Sequence, residues 1–144
     1  MTFLQNGDLA SGSSDKTIRI RSSQDVKSIL TGHTLVVLSL VTLQNGDLAN
    51  GSFDRTMRIW DVLTGKTRLV LTGHTAPVRD LLVLPNGQLV SASVDTTIKI
   101  WSTEKGQHLK SLTGHTGGVY VLALLPTGEL VSGSTDGTVR IWSR

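Results

Sequence analysis

The sequence predicts an all-β fold built from a repeated unit of four short strands. Three observations predict it. First, a His, Asp and Trp triplet recurs: His33, Asp54, Trp60; then His74, Asp95, Trp101; then His115, Asp136, Trp142. In each copy the Asp lies 21 residues after the His and the Trp 6 after the Asp, and the copies are 41 residues apart. A fixed period of this size signals a stacked array of similar units. Second, short apolar or alternating segments are bounded by Gly, Asn and Asp at roughly 8–12-residue spacing, the pattern of an all-β sandwich, barrel or closed array of sheets. Third, helical periodicity and helix caps are absent along the chain.

Each unit reads as strands a to d. Strand a is mostly apolar, V-L-S-L-V-T-L (37–43), V-R-D-L-L-V-L (78–84) and V-Y-V-L-A-L-L (119–125), as expected of a strand covered on both faces. A turn follows at Asn45-Gly46, Asn86-Gly87 and Thr127-Gly128, with Asn6-Gly7 in the shortened first unit. Asn-Gly favours positive φ at both central residues, so a tight two-residue hairpin is expected there. Strand b is D-L-A-N-G-S (47–52), Q-L-V-S-A-S (88–93) and E-L-V-S-G-S (129–134), whose small residues let neighbouring sheets approach closely. The Asp-bearing turn leads to strand c, T-M-R-I-W, T-I-K-I-W and T-V-R-I-W, in which Arg58, Lys99 and Arg140 alternate with apolar neighbours. Gly65 or Gly106 then leads to strand d, T-R-L-V-L (67–71) or H-L-K-S-L (108–112). The first unit keeps Asp15 in register but has no His before it, has Arg21 where the Trp would be, and retains only Thr2-Phe3-Leu4 of strand a.

Composition narrows the function classes. At 144 residues and 38% hydrophobic, the chain is the size of one domain and can bury a core. The absence of cysteine excludes a disulfide framework, a thiolate zinc site and a cysteine nucleophile, and fits an intracellular (cytoplasmic or nuclear) setting. The net charge of +3 is spread over the repeats without a basic run, so nucleic acid is not an expected partner. No apolar run nears the ~18 residues of a membrane-spanning helix, and the start, M-T-F-L-Q-N-G, lacks the basic and apolar regions of a signal peptide. No membrane partner is expected.

A four-strand unit of about 40–45 residues that opens in Gly-His and closes in Trp-Asp is the signature of a propeller blade. On Gly32-His33, Gly73-His74, Gly114-His115, the three Trp and the literal Trp60-Asp61, the chain resembles the WD40-repeat family over nearly its whole length; the other blades end in Trp101-Ser102 and Trp142-Ser143. The resemblance implies one WD40-type domain over 1–144, with a partial blade 1 at about 2–31, blade 2 at 32–72, blade 3 at 73–113, and blade 4 at 114–144 without its outer strand. Each full blade is expected to hold four antiparallel strands. The chain supplies about three and a half blades, an open arc or partial propeller.

The resemblance also implies a hydrogen-bonded chain inside each blade, from the Asp through the His and a strand-b hydroxyl to the Trp. Its members are His33, Ser52, Asp54 and Trp60; His74, Ser93, Asp95 and Trp101; His115, Ser134, Asp136 and Trp142. The serine two before the Asp is assigned here. The column four before, Ser11, Asn50, Ser91 and Ser132, faces the same side by strand parity and stays open as an alternative. The same residue types would suit a Ser-His-Asp hydrolase. Against that reading, the set occurs three times, and no Gly-x-Ser-x-Gly elbow is present. The three histidines have no nearby Cys or His partner, so neither metal nor cofactor is expected.

The expected function is a non-catalytic scaffold that binds proteins or peptides. In the family, partners dock on the face bearing the d–a and b–c loops. By position that face carries Ser14, Phe53, Val94 and Thr135, together with Leu38, Arg79 and Tyr120 at the start of strand a. The strand count, 14 plus the stub 2–4, falls short of a ring of familiar size. It should leave open edges on strand b of the first unit and on strand c around Val139-Arg140-Ile141. The chain is therefore expected to be a fragment of a longer propeller. The alternative is a self-assembling unit whose homo-oligomer completes the ring.

Overall fold

The computed structural model describes residues 1–143; Arg144, the last residue assigned to blade 4, lies outside them. All regular structure is β. In chain order the strands are β1 (Thr2–Phe3), β2 (Leu9–Gly12), β3 (Ile18–Arg21), β4 (Val26–Leu30), β5 (Val37–Thr42), β6 (Leu48–Ser52), β7 (Met57–Asp61), β8 (Lys66–Leu71), β9 (Val78–Val83), β10 (Leu89–Ser93), β11 (Ile98–Trp101), β12 (His108–Leu112), β13 (Val119–Leu124), β14 (Leu130–Ser134) and β15 (Val139–Trp142). They form three four-stranded sheets and one three-stranded sheet, β13-β14-β15, each antiparallel and ordered as in the chain.

Successive sheets stack face to face, and the core lies between them. The first sheet presents Ala10, Ile18, Ile20 and Leu30 to Val37, Leu48 and Trp60 of the second. The second presents Ala49, Met57, Ile59 and Leu71 to Val78, Leu89 and Trp101 of the third. Ile98, Val90 and Ala92 face Val119, Leu122 and Leu130 in the same way. Each interface thus repeats one arrangement, an apolar strand-c face against the Trp and the inner strand of the next sheet.

The a–b connection differs from expectation. Gly7, Gly46, Gly87 and Gly128 have φ of 83–92°, whereas the residue before each is not in the positive-φ region. The connection is a three-residue loop, with Gly7 N–H donating to Leu4 O at 3.0 Å and Leu4 N–H to Asp8 O at 2.8 Å. Only its last residue is left-handed, the geometry of a turn followed by a glycine bulge. The Asn instead bonds forward: Asp8 N–H donates to Asn6 Oδ1 at 3.0 Å, and Asn6 Nδ2 to Asp8 Oδ2 at 2.8 Å. That favours a right-handed Asn over the left-handed one a two-residue loop needs.

At the chain's two outer sheets, β1 covers only Leu9 and Ala10 of β2, and β15 pairs only with β14.

Candidate functional site

The polar chain is built by strand pairing. In the third sheet Leu89 pairs with Trp101 and Ser91 with Lys99, so Leu89, Ser91 and Ser93 share one face with the indole. Trp101 Nε1–H donates to Ser91 Oγ at 2.8 Å, and Ser91 Oγ lies 2.7 Å from His74 Nε2. His74 Nδ1 lies 2.7 Å from Asp95 Oδ2. Indole N–H is only a donor and carboxylate only an acceptor, so the direction of the two end bonds is fixed. Trp donates to Ser at one end and Nδ1–H to Asp at the other, with Ser Oγ and Nε2 sharing the bond between them. The fourth sheet repeats this through Trp142, Ser132, His115 and Asp136 at 2.8, 2.8 and 2.7 Å.

In the second sheet Asn50 takes the serine's place. Trp60 Nε1–H donates to Asn50 Oδ1 and Asn50 Nδ2–H to His33 Nε2, each at 2.7 Å, and His33 Nδ1 meets Asp54 at 2.6 Å. The His and Trp ring centroids are 6.4 Å apart here and 6.2 Å in the third sheet. One gap therefore accepts either linker.

The serine assignment is thereby corrected. Ser52, Ser93 and Ser134 do not join His to Trp. They accept from the amides of Asp54, Asp95 and Asp136 at 3.1 Å, and donate to the d–a loop carbonyls of Val36, Ala76 and Gly117. The indole begins opposite Leu89. It reaches the next residue on that face, Ser91; Ser93 lies a further two residues along, ~7 Å away.

Both Asp oxygens are used. In Asp54, Oδ1 accepts from Thr56 N–H and Oγ1, while Oδ2 accepts from His33 and Thr34 N–H. Burial opposes its ionisation, but the bonds from Thr56 and His33 outweigh it and bring the carboxyl down to about 2. For Asp95 burial again opposes, and bonds from His74 and Thr97 hold the group well below the usual range. In Asp136 the Thr138 hydroxyl is the main cause of the same downward shift.

On the loop face, Leu38, Arg79 and Tyr120 occupy register shifts in the a–b pairing. Val37 pairs with Ser52 and Ser39 with Gly51, leaving Leu38 without an opposite residue, and the other two sheets repeat the pattern. Such bulges re-aim a side chain. Arg79 lays its guanidinium 4.7 Å from the Tyr120 ring centroid. Gly118 packs between Tyr120 and Val94: a Cβ there would come 2.9 Å from Tyr120 Cε2 and 3.1 Å from Val94 Cα. Arg79, Val94 and Tyr120 thus form one patch across the third and fourth sheets. Phe53 is 48% exposed at its own b–c turn, tied by its N–H to Val36 O. Ser14 and Thr135 are exposed at the corresponding turns, and Leu38 is half-buried.

Two contributors escaped sequence reasoning. Gly118 is one. The other is Asp80, whose Oδ1 accepts from Leu81 N–H at 2.9 Å and whose Oδ2 accepts from Leu122 N–H of the next sheet at 2.8 Å. Burial pushes its carboxyl up. Its column holds Ser39 and Val121 in the neighbouring sheets. That break in the repeat was the available signal.

Antiparallel sheets stacked in chain order, the second to fourth each pinned by an internal Trp-to-Asp chain, define a β-propeller class of protein. Within that class the chain belongs to the WD40 family: the model for the WD domain, G-beta repeat, matches residues 24–61, 65–102 and 106–143. Among solved structures, the chain is similar to the WD40 beta propeller domain of Doa1, with a TM-score of 0.89 and 30% identity over 95% of this chain. The match spans about half of that structure, 47% of its chain. No curated protein matches the sequence. The WD40 propeller serves generally as a non-enzymatic scaffold for proteins or peptides.

Proposed function

We propose that this chain docks a protein or peptide on its loop face, through the Arg79, Val94 and Tyr120 patch together with Phe53, exposed at its own b–c turn. The observation that carries the reading is the pair of bulged residues, Arg79 and Tyr120, stacked on one another at the surface. Arg79 Nε is buried without a hydrogen-bond partner among the described residues, so stacking on Tyr120 is what orients the guanidinium. A rigid aromatic–arginine pair with little side-chain entropy left to lose suits a binding hot spot.

A non-catalytic role is supported by burial. Ser91 and Ser132 are 0% exposed and each hydroxyl already accepts an indole N–H, so neither is presented to a substrate carbonyl. A fluorophosphonate serine probe is expected to leave the folded chain unlabelled; stoichiometric labelling of one serine would count for a hydrolase.

The docking reading is tested by selecting peptides on the wild-type chain from a displayed library. They are then titrated against a variant combining Phe53→Ala, Arg79→Ala and Tyr120→Ala. Most selected peptides should lose at least about tenfold in affinity, while the variant keeps its β-type circular dichroism. Unchanged affinities in a folded variant would remove the loop face from the function.

A further inference from the structure

The outer strand pair of the third sheet, β11 and β12, departs from the repeat at positions that meet in space. Strand c carries a cation at one fixed place, and the outer strand sets a residue opposite it: Arg19 faces Ile29, Arg58 faces Val70 and Lys99 faces Ser111. Two residues along strand c, Trp60 faces Thr67 and Trp101 faces His108. The third sheet thus has a hydroxyl where the second has Val70, and an imidazole where the second has Thr67.

The cation is also used differently. Arg58 donates from Nη1 to the Thr67 hydroxyl at 3.2 Å and from Nη2 to the Gly32 carbonyl at 3.0 Å. Its guanidinium covers that glycine, where a Cβ would come 2.9 Å from Nη1, and Arg140 covers Gly114 at the same distance. A Cβ on Gly73 would instead meet the Trp101 indole at 3.1 Å, with no Lys99 atom within 4 Å. Lys99 turns to the outer strand, and its Nζ donates to Ser111 Oγ at 2.9 Å. His108 Nε2 lies 3.0 Å from the same Oγ. The imidazole rests edge-on against Trp101, with ring centroids 5.2 Å apart, and that indole is buried and bonded to Ser91. Among the described residues, neither Lys99 nor His108 has a carboxylate within 4.0 Å.

We propose that Lys99, His108 and Ser111 form a binding site for a phosphoryl group. Ammonium, imidazole N–H and hydroxyl can all donate, and the first two can carry positive charge. A phosphoryl group brings three acceptor oxygens and nearly two negative charges, whereas a carboxylate brings two oxygens and one charge. Bonds between ionised partners are the short, strong kind. The site lies on the sheet face that carries the indole. It is separate from the loop face and does not rest on the docking reading.

The test uses the full chain, with the His108 ring followed by NMR as sodium phosphate is added at fixed pH and at an ionic strength held constant with sodium chloride. A saturable shift is expected at His108 and not at His33, His74 or His115. Acetate should bind more weakly than phosphate. A glycine peptide carrying one phosphoserine is titrated in parallel: tighter binding than inorganic phosphate assigns the site to a phosphorylated protein segment, and equal binding to the free anion. The variants copy the second sheet, so the fold should tolerate them. Lys99→Arg keeps the charge but should send it to the Gly73 carbonyl, as Arg58 goes to Gly32, and Ser111→Val removes the hydroxyl. Each should weaken phosphate binding at least about tenfold. If either variant does not fold, phosphate against acetate on the wild-type chain decides alone. A shift that does not saturate, one shared by all four histidines, equal affinity for acetate, or unchanged affinity in the folded variants would overturn the proposal.

Discussion

The first and third sheets share a turn and differ in what lies behind it. In both, the Asp amide bonds the serine two residues before, at 3.1 Å, and the Asp Oδ1 accepts from the Thr two residues after, at 3.0 Å in the first and 2.9 Å in the third. The second carboxylate oxygen separates them. Asp95 Oδ2 meets a buried imidazole that leads to Ser91 and Trp101. Asp15 Oδ2 meets the exposed guanidinium of Arg19 at 2.8 Å. The turn is therefore a local structure that forms from its own few residues. The Trp-to-Asp chain is a separate, long-range feature added through the other oxygen.

The largest effect that sharpens this contrast comes from the indoles. Trp101 is 1% exposed, and Trp101→Ala is expected to cost about 3–5 kcal/mol in urea unfolding. Trp142, beside the open edge and half-buried, should cost clearly less. Equal losses would mean that interface burial does not set the Trp contribution. Next, Asp95→Ala or His74→Ala should cost about 1–3 kcal/mol by stranding buried partners. Asp15→Ala should cost clearly less, since its ion pair is exposed. Matching losses at Asp15 and Asp95 would break the contrast.

Within the third sheet, Ser91→Ala should cost more than Ser93→Ala. The first strands a fully buried indole N–H and imidazole nitrogen; the second strands Asp95 N–H and Ala76 O, both in half-buried residues. The reverse order in thermal melts would return the linking role to Ser93. The smallest effect is expected for Arg21→Trp, within about 0.5 kcal/mol, because no His stands ready to continue a chain in the first sheet. A gain of the size lost in His74→Ala would show that the Trp acts without its His.

Acid should expose the same asymmetry. The folded carboxyl of Asp54 lies at about 2, below its ordinary 3.8. A depressed carboxyl contributes stability that is complete above pH 3.8 and is lost as pH falls toward 2. Urea midpoints measured from pH 5 to pH 2 should therefore fall, and Asp54→Asn should flatten the decline. An unchanged slope would place the acid sensitivity elsewhere.

Much of this was legible before folding. The 41-residue step, the strand order and the alternation of Arg58, Lys99 and Arg140 with apolar neighbours lie in local sequence, because strand faces follow from a two-residue period. The open edge at Val139-Arg140-Ile141 followed from counting strands. The a–b turn was misjudged because Asn-Gly supports more than one hairpin geometry, and the Asn side chain's bond to the residue after Gly selected the three-residue loop.

By itself the sequence determined a repeated four-strand array resembling WD40 blades, and the resemblance implied that Asp, His and Trp meet within each of the last three sheets. Periodicity suffices for the array, and a donor-only indole and an acceptor-only carboxylate suit the two ends of the implied polar chain. The tertiary structure decided which hydroxyl joins them, that Asn50 serves where Ser91 and Ser132 do elsewhere, that Asp80 reaches Leu122, and that Arg79 stacks on Tyr120. Each of these depends on the offset between neighbouring strands or sheets. Strand parity gives Ser91 and Ser93 the same face, and only the reach of the indole across the strand pair separates them.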